Sequence, residues 1–293
     1  MTRSPIEAIA FDCYGTLIDF GDDAFRRAYG QICSEQGIEV DGAAFYDKWM
    51  EIWRRLASSG HSADSGSVGV VEGGGPNRPG PLSEAEPIPA HPEHHTPSAG
   101  RSRSLDGPLP PYRPYRDEWP EHFALCFEEL NVRGDPQSAH RRLVELLAQG
   151  RAYPESRQVV EALRPLRPIA LLSNADDDFL LPVLDSNQLQ FPVVVSSESA
   201  RAYKPHMAIF IALSEALDLP PERILYVGDS RLADIVGARN AGLQAAWINR
   251  PGARNRSIET RNGRPDSGTD EILERFPPDY EIGSLDELLR IVL

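Results

Sequence analysis

The sequence predicts an α/β protein: a Rossmann-like parallel sheet covered by helices on both faces, with an α-helical subdomain inserted after its first strand. Three observations predict it. Ala8 to Phe11 is a short apolar run between Pro5 and Gly15 that stops on Asp12, the pattern of a buried parallel strand delivering an acid at its carboxyl end. From residue 152 onward, apolar runs of strand length alternate with stretches of helix length. Between these regions lie four helix-period stretches with no strand among them.

The elements follow in order. After Asp19 the period becomes helical: Asp22 and Asp23 offer caps, Phe25, Tyr29, Ile32 and Cys33 share a face, and Gly37 offers a stop. Phe45, Trp49, Ile52, Trp53 and Leu56 mark a second amphipathic helix whose aromatic face is expected in the core. From Ser58 to about Pro111 the composition turns to Pro, Gly, Ser, Glu and His, with prolines recurring from Pro76 to Pro111. Such a stretch cannot bury enough apolar surface to offset its ordering entropy, so a disordered insertion is expected at about 58–111. His91, His94 and His95 lie in it without partner ligands at a fixed spacing, and they read as part of a solvated loop. A third helix carries Trp119, Phe123, Cys126, Phe127 and Leu130 on one face. Asp135-Pro136 opens a fourth, through Leu143, Leu146 and Leu147 to Gly150.

The remainder alternates. Helices at about Val159 to Leu166, Asp177 to Leu184, Met207 to Leu217 and Leu232 to Ala241 precede the runs Ile169 to Leu172, Val193 to Val195, Ile224 to Val227 and Ala245 to Ile248. Pro251 to Pro278 reads as polar and irregular, and Tyr280 to Ile282 with a helix from Leu285 to Val292 closes the chain. Residues 1–20 and 152–293 then form the α/β core, and 21–151 the inserted helical domain.

Composition narrows the function. A formal charge of −14 disfavours binding to nucleic-acid backbones or anionic membranes. Three cysteines, Cys13, Cys33 and Cys126, have neither the number nor the spacing of a disulfide framework or a zinc site. No stretch approaches the roughly 20 apolar residues of a membrane span, and the start of the chain lacks a signal h-region. The expectation is a soluble cytoplasmic protein, with a homodimer allowed.

Three predicted strands end on polar residues at one edge of the sheet: Asp12, Ser173 with Asn174, and Gly228 with Asp229. Lys204 precedes a helix, and Asp234 lies five residues beyond Asp229. A carboxylate can attack an electrophile to give an aspartyl intermediate that water then hydrolyses. With a phosphate electrophile two anions must meet. Mg²⁺ between Asp12 and Asp229 would reduce that repulsion, and Lys204, Ser173 and Asn174 would hold the phosphoryl oxygens of a small anionic substrate.

Asp12-Cys-Tyr-Gly-Thr16, Ser173-Asn174, Lys204-Pro205 and Gly228-Asp229-Ser230 with Asp234 together resemble the four motifs of the haloacid dehalogenase (HAD) superfamily, in order. The resemblance implies that fold, with residues 21–151 in the place of its cap. It makes Asp12 the nucleophile, Ser173 the residue orienting the transferred group, and Lys204 the stabiliser of charge on nucleophile and substrate. The implied metal ligands are Asp12, the Tyr14 backbone carbonyl, Asp229 and Asp234. Gly15, Thr16 and Asn174 are then expected beside the substrate.

Two motifs point to different members. Tyr14 stands where the superfamily's phosphatases place a second Asp as general acid, and its phenol is a poor proton donor to an alkoxide at neutral pH. There the motif is similar to the metal-free 2-haloacid dehalogenases. Asp229 instead keeps the phosphatases' metal carboxylate. Dehalogenases also receive the halide on a cap arginine, for which Arg26, Arg27, Arg54 and Arg55 are candidates by region, while Arg113 and Arg116 are candidates for holding an anionic substrate. The sequence thus favours a Mg²⁺-dependent phosphatase over a cofactor-free dehalogenase, with a silent binding protein of the same fold as a third reading.

Overall fold

In the computed structural model, the described residues are 4–59, 105, 107–109, 111–251, 260–261, 264–265 and 267–292. The predicted segment at 58–111 therefore falls almost wholly outside them, as do His91, His94 and His95. Leu105 and Gly107 are described and packed: Leu105 is buried and its carbonyl accepts from Met207 N at 2.9 Å, while the Gly107 carbonyl lies 3.0 Å from His206 Nε2.

Strands β1 (Ala8–Phe11), β2 (Ile169–Ser173), β3 (Val193–Ser196), β4 (Ile224–Gly228), β5 (Gln244–Ile248) and, later in the chain, Tyr280–Ile282 form one parallel sheet. The last of these is numbered β8, after a two-strand hairpin of β6 (Thr260–Arg261) and β7 (Arg264–Pro265). The order is β3-β2-β1-β4-β5-β8. Every residue of β1, β2 and β4 is buried, because both faces of the sheet are covered and alternate side chains serve different layers. Ile9, Phe11 and Leu171 pack into a layer with α5 (Ser156–Leu163) and α6 (Asp177–Ser186), and Ala8, Ala10 and Leu172 into one with α8 (Met207–Leu217) and α9 (Gly237–Asn240), α7 being the single turn Ser197–Ala200.

Among the described residues, four helices stand between β1 and α5: α1 (Asp22–Glu35), α2 (Gly42–Ser59), α3 (Tyr115–Glu129) and α4 (Pro136–Ala148). Their apolar faces meet ring against ring, with Trp49 4.8 Å from Phe123 and Tyr29 5.2 Å from Phe45. Asp135 caps α4 by accepting from Gln137 N at 3.0 Å, whereas α1 starts from Gly21 with Asp22 and Asp23 in its first turn. The chain leaves and re-enters the sheet side by side, where Tyr153 N donates to the Leu17 carbonyl and Asp19 N to that of Arg151.

One expectation fails. Within the stretch read as irregular, α10 (Ser267–Arg275) is a helix, because Ile272, Leu273 and Phe276 recur at helical spacing and pack with Leu105, Leu232 and Val236. After β8 the chain closes on α11 (Leu288–Val292). No helix among the described residues is long and apolar enough to cross a membrane.

Candidate active site

The connections from β1 run outward through β2 to β3, and those from β4 run the other way, so the order reverses between β1 and β4. A parallel sheet opens a crevice at such a point, beyond the carboxyl ends of the strands. Asp12 follows β1 there, its backbone N–H donating to the Val227 carbonyl of β4 at 2.9 Å. Ser173, the last residue of β2, donates through Oγ to Asp12 Oδ1 at 3.3 Å. Lys204 comes from the loop before α8, and its Nζ donates to the same Asp12 Oδ1 at 2.7 Å and to Asp234 Oδ1 at 2.7 Å. The Lys204 side chain is only 3 % exposed, so these partners stand in for water.

Asp229 follows β4, and Asp234 lies in the wide helical turn Arg231–Val236 behind it. A ligand oxygen from each of Asp12, Asp229 and Asp234 falls within 4.8 Å of the others. Three carboxylates around one ammonium leave an excess of two negative charges. Burial, then the neighbouring Asp234 and Asp12, push the Asp229 carboxyl well above its usual range. Burial and Asp12 raise Asp234 as well, against the pull of Lys204. Burial works to lower the Lys204 ammonium, but Asp12 and then Asp234 hold it above its ordinary value. The donor set, hard oxygens with uncompensated charge, fits a divalent cation such as Mg²⁺.

Close packing fixes this floor. Gly15 has a φ of 89°, and a Cβ on it would lie 2.6 Å from Asp229 Oδ2; a Cβ on Gly228 would lie 2.3 Å from Asp234 Cγ. Only glycine fits beside each carboxylate. Thr16 is fully buried, and its hydroxyl donates to Asp229 Oδ1 at 3.4 Å. Gly15 and Thr16 thus shape the position of Asp229 and do not line the cleft, contrary to their expected place beside the substrate.

Asn174 borders the cleft, and its side chain also positions the lysine, accepting from the Lys204 N–H at 2.7 Å and donating to its carbonyl at 3.1 Å. The expected places of the arginines are corrected. Arg113 pairs with Glu121 at 2.7 Å and Arg116 with Glu198, and neither lines the cleft. Arg26 pairs with Asp47 at 2.7 Å and Arg55 with Glu129 at 2.5 Å; among the described residues no arginine lines the cleft. The Tyr14 ring does line it, but its hydroxyl donates away from Asp12, toward the carbonyls of Phe179 and Leu147 at 3.3 and 3.4 Å. Burial, followed by Cys13 and Asp12, keeps this phenol well above its ordinary pKa.

Two features escaped the sequence reading. Tyr226, inside β4, puts its hydroxyl 3.0 Å from Lys204 Nζ, where it accepts, and 2.9 Å from the Leu172 carbonyl, where it donates. Its strand position shows only a buried aromatic, since the partner lies 22 residues away. The second is an aromatic wall above the floor, drawn from helices distant in sequence.

The model of the haloacid dehalogenase-like hydrolase family matches residues 6–242. The chain belongs to this family. Among curated relatives of this HAD-like hydrolase, haloacetate dehalogenase H-2 of Moraxella sp. (strain B) is 36 % identical over 114 residues, which cover 38 % of this chain and 50 % of that protein. Glyceraldehyde 3-phosphate phosphatase of Methanopyrus kandleri is 28 % identical over 188 residues, 61 % of this chain and 74 % of that one. The chain spans about half the length of the dehalogenase it matches. Among solved structures, the magnesium-bound HAD-hydrolase YfnB of Bacillus subtilis superposes with a TM-score of 0.65 at 18 % identity, covering 99 % of both chains. The L-2-haloacid dehalogenase RSc1362 gives 0.64 at 20 %, also over 99 % of each. These structures share the fold. The relatives thus include both dehalogenases and phosphatases.

Proposed function

We propose that this hydrolase is a Mg²⁺-dependent phosphatase acting on a small phosphate monoester through an aspartyl intermediate, with residues 21–151 as the cap over its cleft. The observation that carries this reading is the excess of carboxylate at the floor: Asp12, Asp229 and Asp234 gather around the single ammonium of Lys204. A dehalogenase without metal has no use for that surplus. Asp12, Asp229 and Asp234 would hold the ion, with the Tyr14 carbonyl as a further ligand, and the ion would neutralise charge on the phosphoryl oxygens.

The rest is done by side chains of the chain itself. Ser173 and Lys204 both donate to Asp12 Oδ1, which orients the carboxylate and leaves Oδ2 for attack on phosphorus. The new bond joins Oδ2 to phosphorus as the bond to the leaving oxygen breaks. Lys204 offsets charge that builds on nucleophile and phosphoryl group in the transition state. Asn174 and Tyr226 keep that ammonium aimed. Water then attacks the phosphorus and restores the Asp12 carboxylate. The formal charge of −14 supports reading it as a cytoplasmic metabolite phosphatase with no nucleic-acid partner.

The Tyr14 hydroxyl, turned from Asp12, favours a second reading, hydrolytic dehalogenation, because a departing halide needs no proton. The absence of arginine from the described cleft lining weighs against it. Hydrolysis of p-nitrophenyl phosphate in Mg²⁺ is expected, lost with EDTA and with Asp12→Asn. Halide release from 2-chloropropionate that survives EDTA, with no phosphate release, would overturn the proposal.

A further inference from the structure

The cleft above Asp12 holds about 250 Å³. Its walls are Phe20 and Phe25, where the chain enters the helical insertion, Tyr115 and Trp119, where it returns, and Leu147 and Phe179. Phe20 meets Phe25 edge to face at 5.0 Å, and Trp119 stacks between Tyr115 at 4.5 Å and Phe179 at 5.6 Å. Aromatic surfaces so arranged accept another ring by offset stacking or edge contact. A dry apolar cavity of roughly 150 Å³ already takes benzene, so the space suffices for a phosphate and one ring.

Charge limits the occupant further. Among the described lining residues Lys204 is the single cation, and it already holds Asp12 and Asp234. The other charged group of the wall is Asp22, whose Oδ1 accepts from the Tyr46 hydroxyl at 2.7 Å. A carboxylate or second phosphate on the substrate would lie against aromatic walls with no counter-ion among the described lining residues, at a cost that selects against it. The leaving oxygen is limited too. With the Tyr14 hydroxyl directed at two backbone carbonyls, no acid from that position meets it, so it must depart as a stable anion.

From these three constraints we propose that the substrate is an aryl monophosphate carrying no second anionic group, an inference that rests on the phosphatase reading above. Asp12 forms a bond to phosphorus, the phosphorus–aryl oxygen bond breaks with its electron pair on the phenoxide, and the phenoxide takes a proton from water. A second water then displaces Asp12 and releases inorganic phosphate.

The test is steady-state kinetics of the full chain in Mg²⁺ on phenyl phosphate, 4-carboxyphenyl phosphate and acetyl phosphate. The carboxylated phenol leaves no less readily than phenol, and acetyl phosphate is activated but has no ring. The KM for phenyl phosphate is expected to be at least tenfold below both others. Phe25→Leu is expected to raise the phenyl phosphate KM several-fold more than the acetyl phosphate KM. Turnover of all three with equal KM values, or preference for the carboxylated ester, overturns the aryl inference and leaves the phosphatase reading standing. No phosphate release from any of them overturns that reading and this inference with it.

Discussion

At the floor of the cleft, Lys204 spends its donors on Asp12, Asp234 and Tyr226 within 3.0 Å, groups carried by the end of β1, the helical turn after β4 and β4 itself. In the interior of the helical insertion the contacts are ring against ring, and polar atoms such as His122 Nδ1 and His140 Nε2 are buried without a partner among the described residues. The floor is organised by directed bonds and an imbalance of charge. The insertion is organised by area, with polar groups tolerated where packing strands them. Sheet register and close packing fix the first, whereas the second can repack, which suits a fixed reaction beneath an adjustable wall.

The largest expected effect breaks the floor. Lys204→Met removes the one ammonium among three carboxylates and should lower kcat/KM on p-nitrophenyl phosphate by a factor on the order of 10²–10³. It should also cost roughly 3–5 kcal/mol in urea denaturation, since it strands buried charge. A variant with wild-type stability would show that the carboxylates are neutralised by other means.

A pH titration separates the two regions next. Burial, opposed by Glu121, lowers His122 to about 4, so it is neutral in the fold while the unfolded chain protonates near 6.5. The unfolded state gains protons first as pH falls. Stability held above pH ~6.5 is thus lost progressively down to pH ~4, by on the order of 3 kcal/mol. His122→Gln should flatten that part of the pH profile of chemical denaturation, and an unchanged profile would assign the loss to other groups. The smallest effect sharpens the floor. Tyr226→Phe removes the hydroxyl between Lys204 and the Leu172 carbonyl, and is expected to cost about 1 kcal/mol of stability. As a positioning residue it should lower kcat roughly tenfold with little change in KM, a split that simple core loosening does not produce.

The floor was legible in the sequence because strand ends are. Apolar runs broken by Asp12, by Ser173 and by Gly228-Asp229 announce both the sheet and the polar edge it delivers, and the structure brings these residues together. Asn174 was found in place, but its hold on the lysine was not foreseen. Its amide reaches the Lys204 backbone 30 residues on, and no local pattern encodes such a reach. Arg113 and Arg116 were chosen for charge and region, yet Glu121 and Glu198 claim them. Phe25 and Trp119 were read only as members of helix faces, and Phe20, Tyr115 and Phe179 were not singled out. Which edge of a buried ring borders a cleft depends on the crossing of helices, not on the period of one. The helix α10 was hidden because its polar, Gly- and Pro-flanked surroundings masked a short apolar face that needs Leu105 and Val236 to pack against.

The end of β2 and the loop after it carry one more consequence. Ser173 touches Asp12, Asn174 grips the Lys204 backbone, and Asp176 accepts from the backbone N–H groups of Tyr115 and Arg116 at 3.1 and 2.9 Å, capping α3 from outside the helix. Four consecutive residues thus hold the nucleophile, the ammonium and the start of an overlying helix. For anyone building chimaeras, this stretch is an indivisible part: a foreign helical insertion grafted without a matching Ser173–Asp176 segment should arrive with its third helix uncapped, and a foreign loop should leave Lys204 without its clamp.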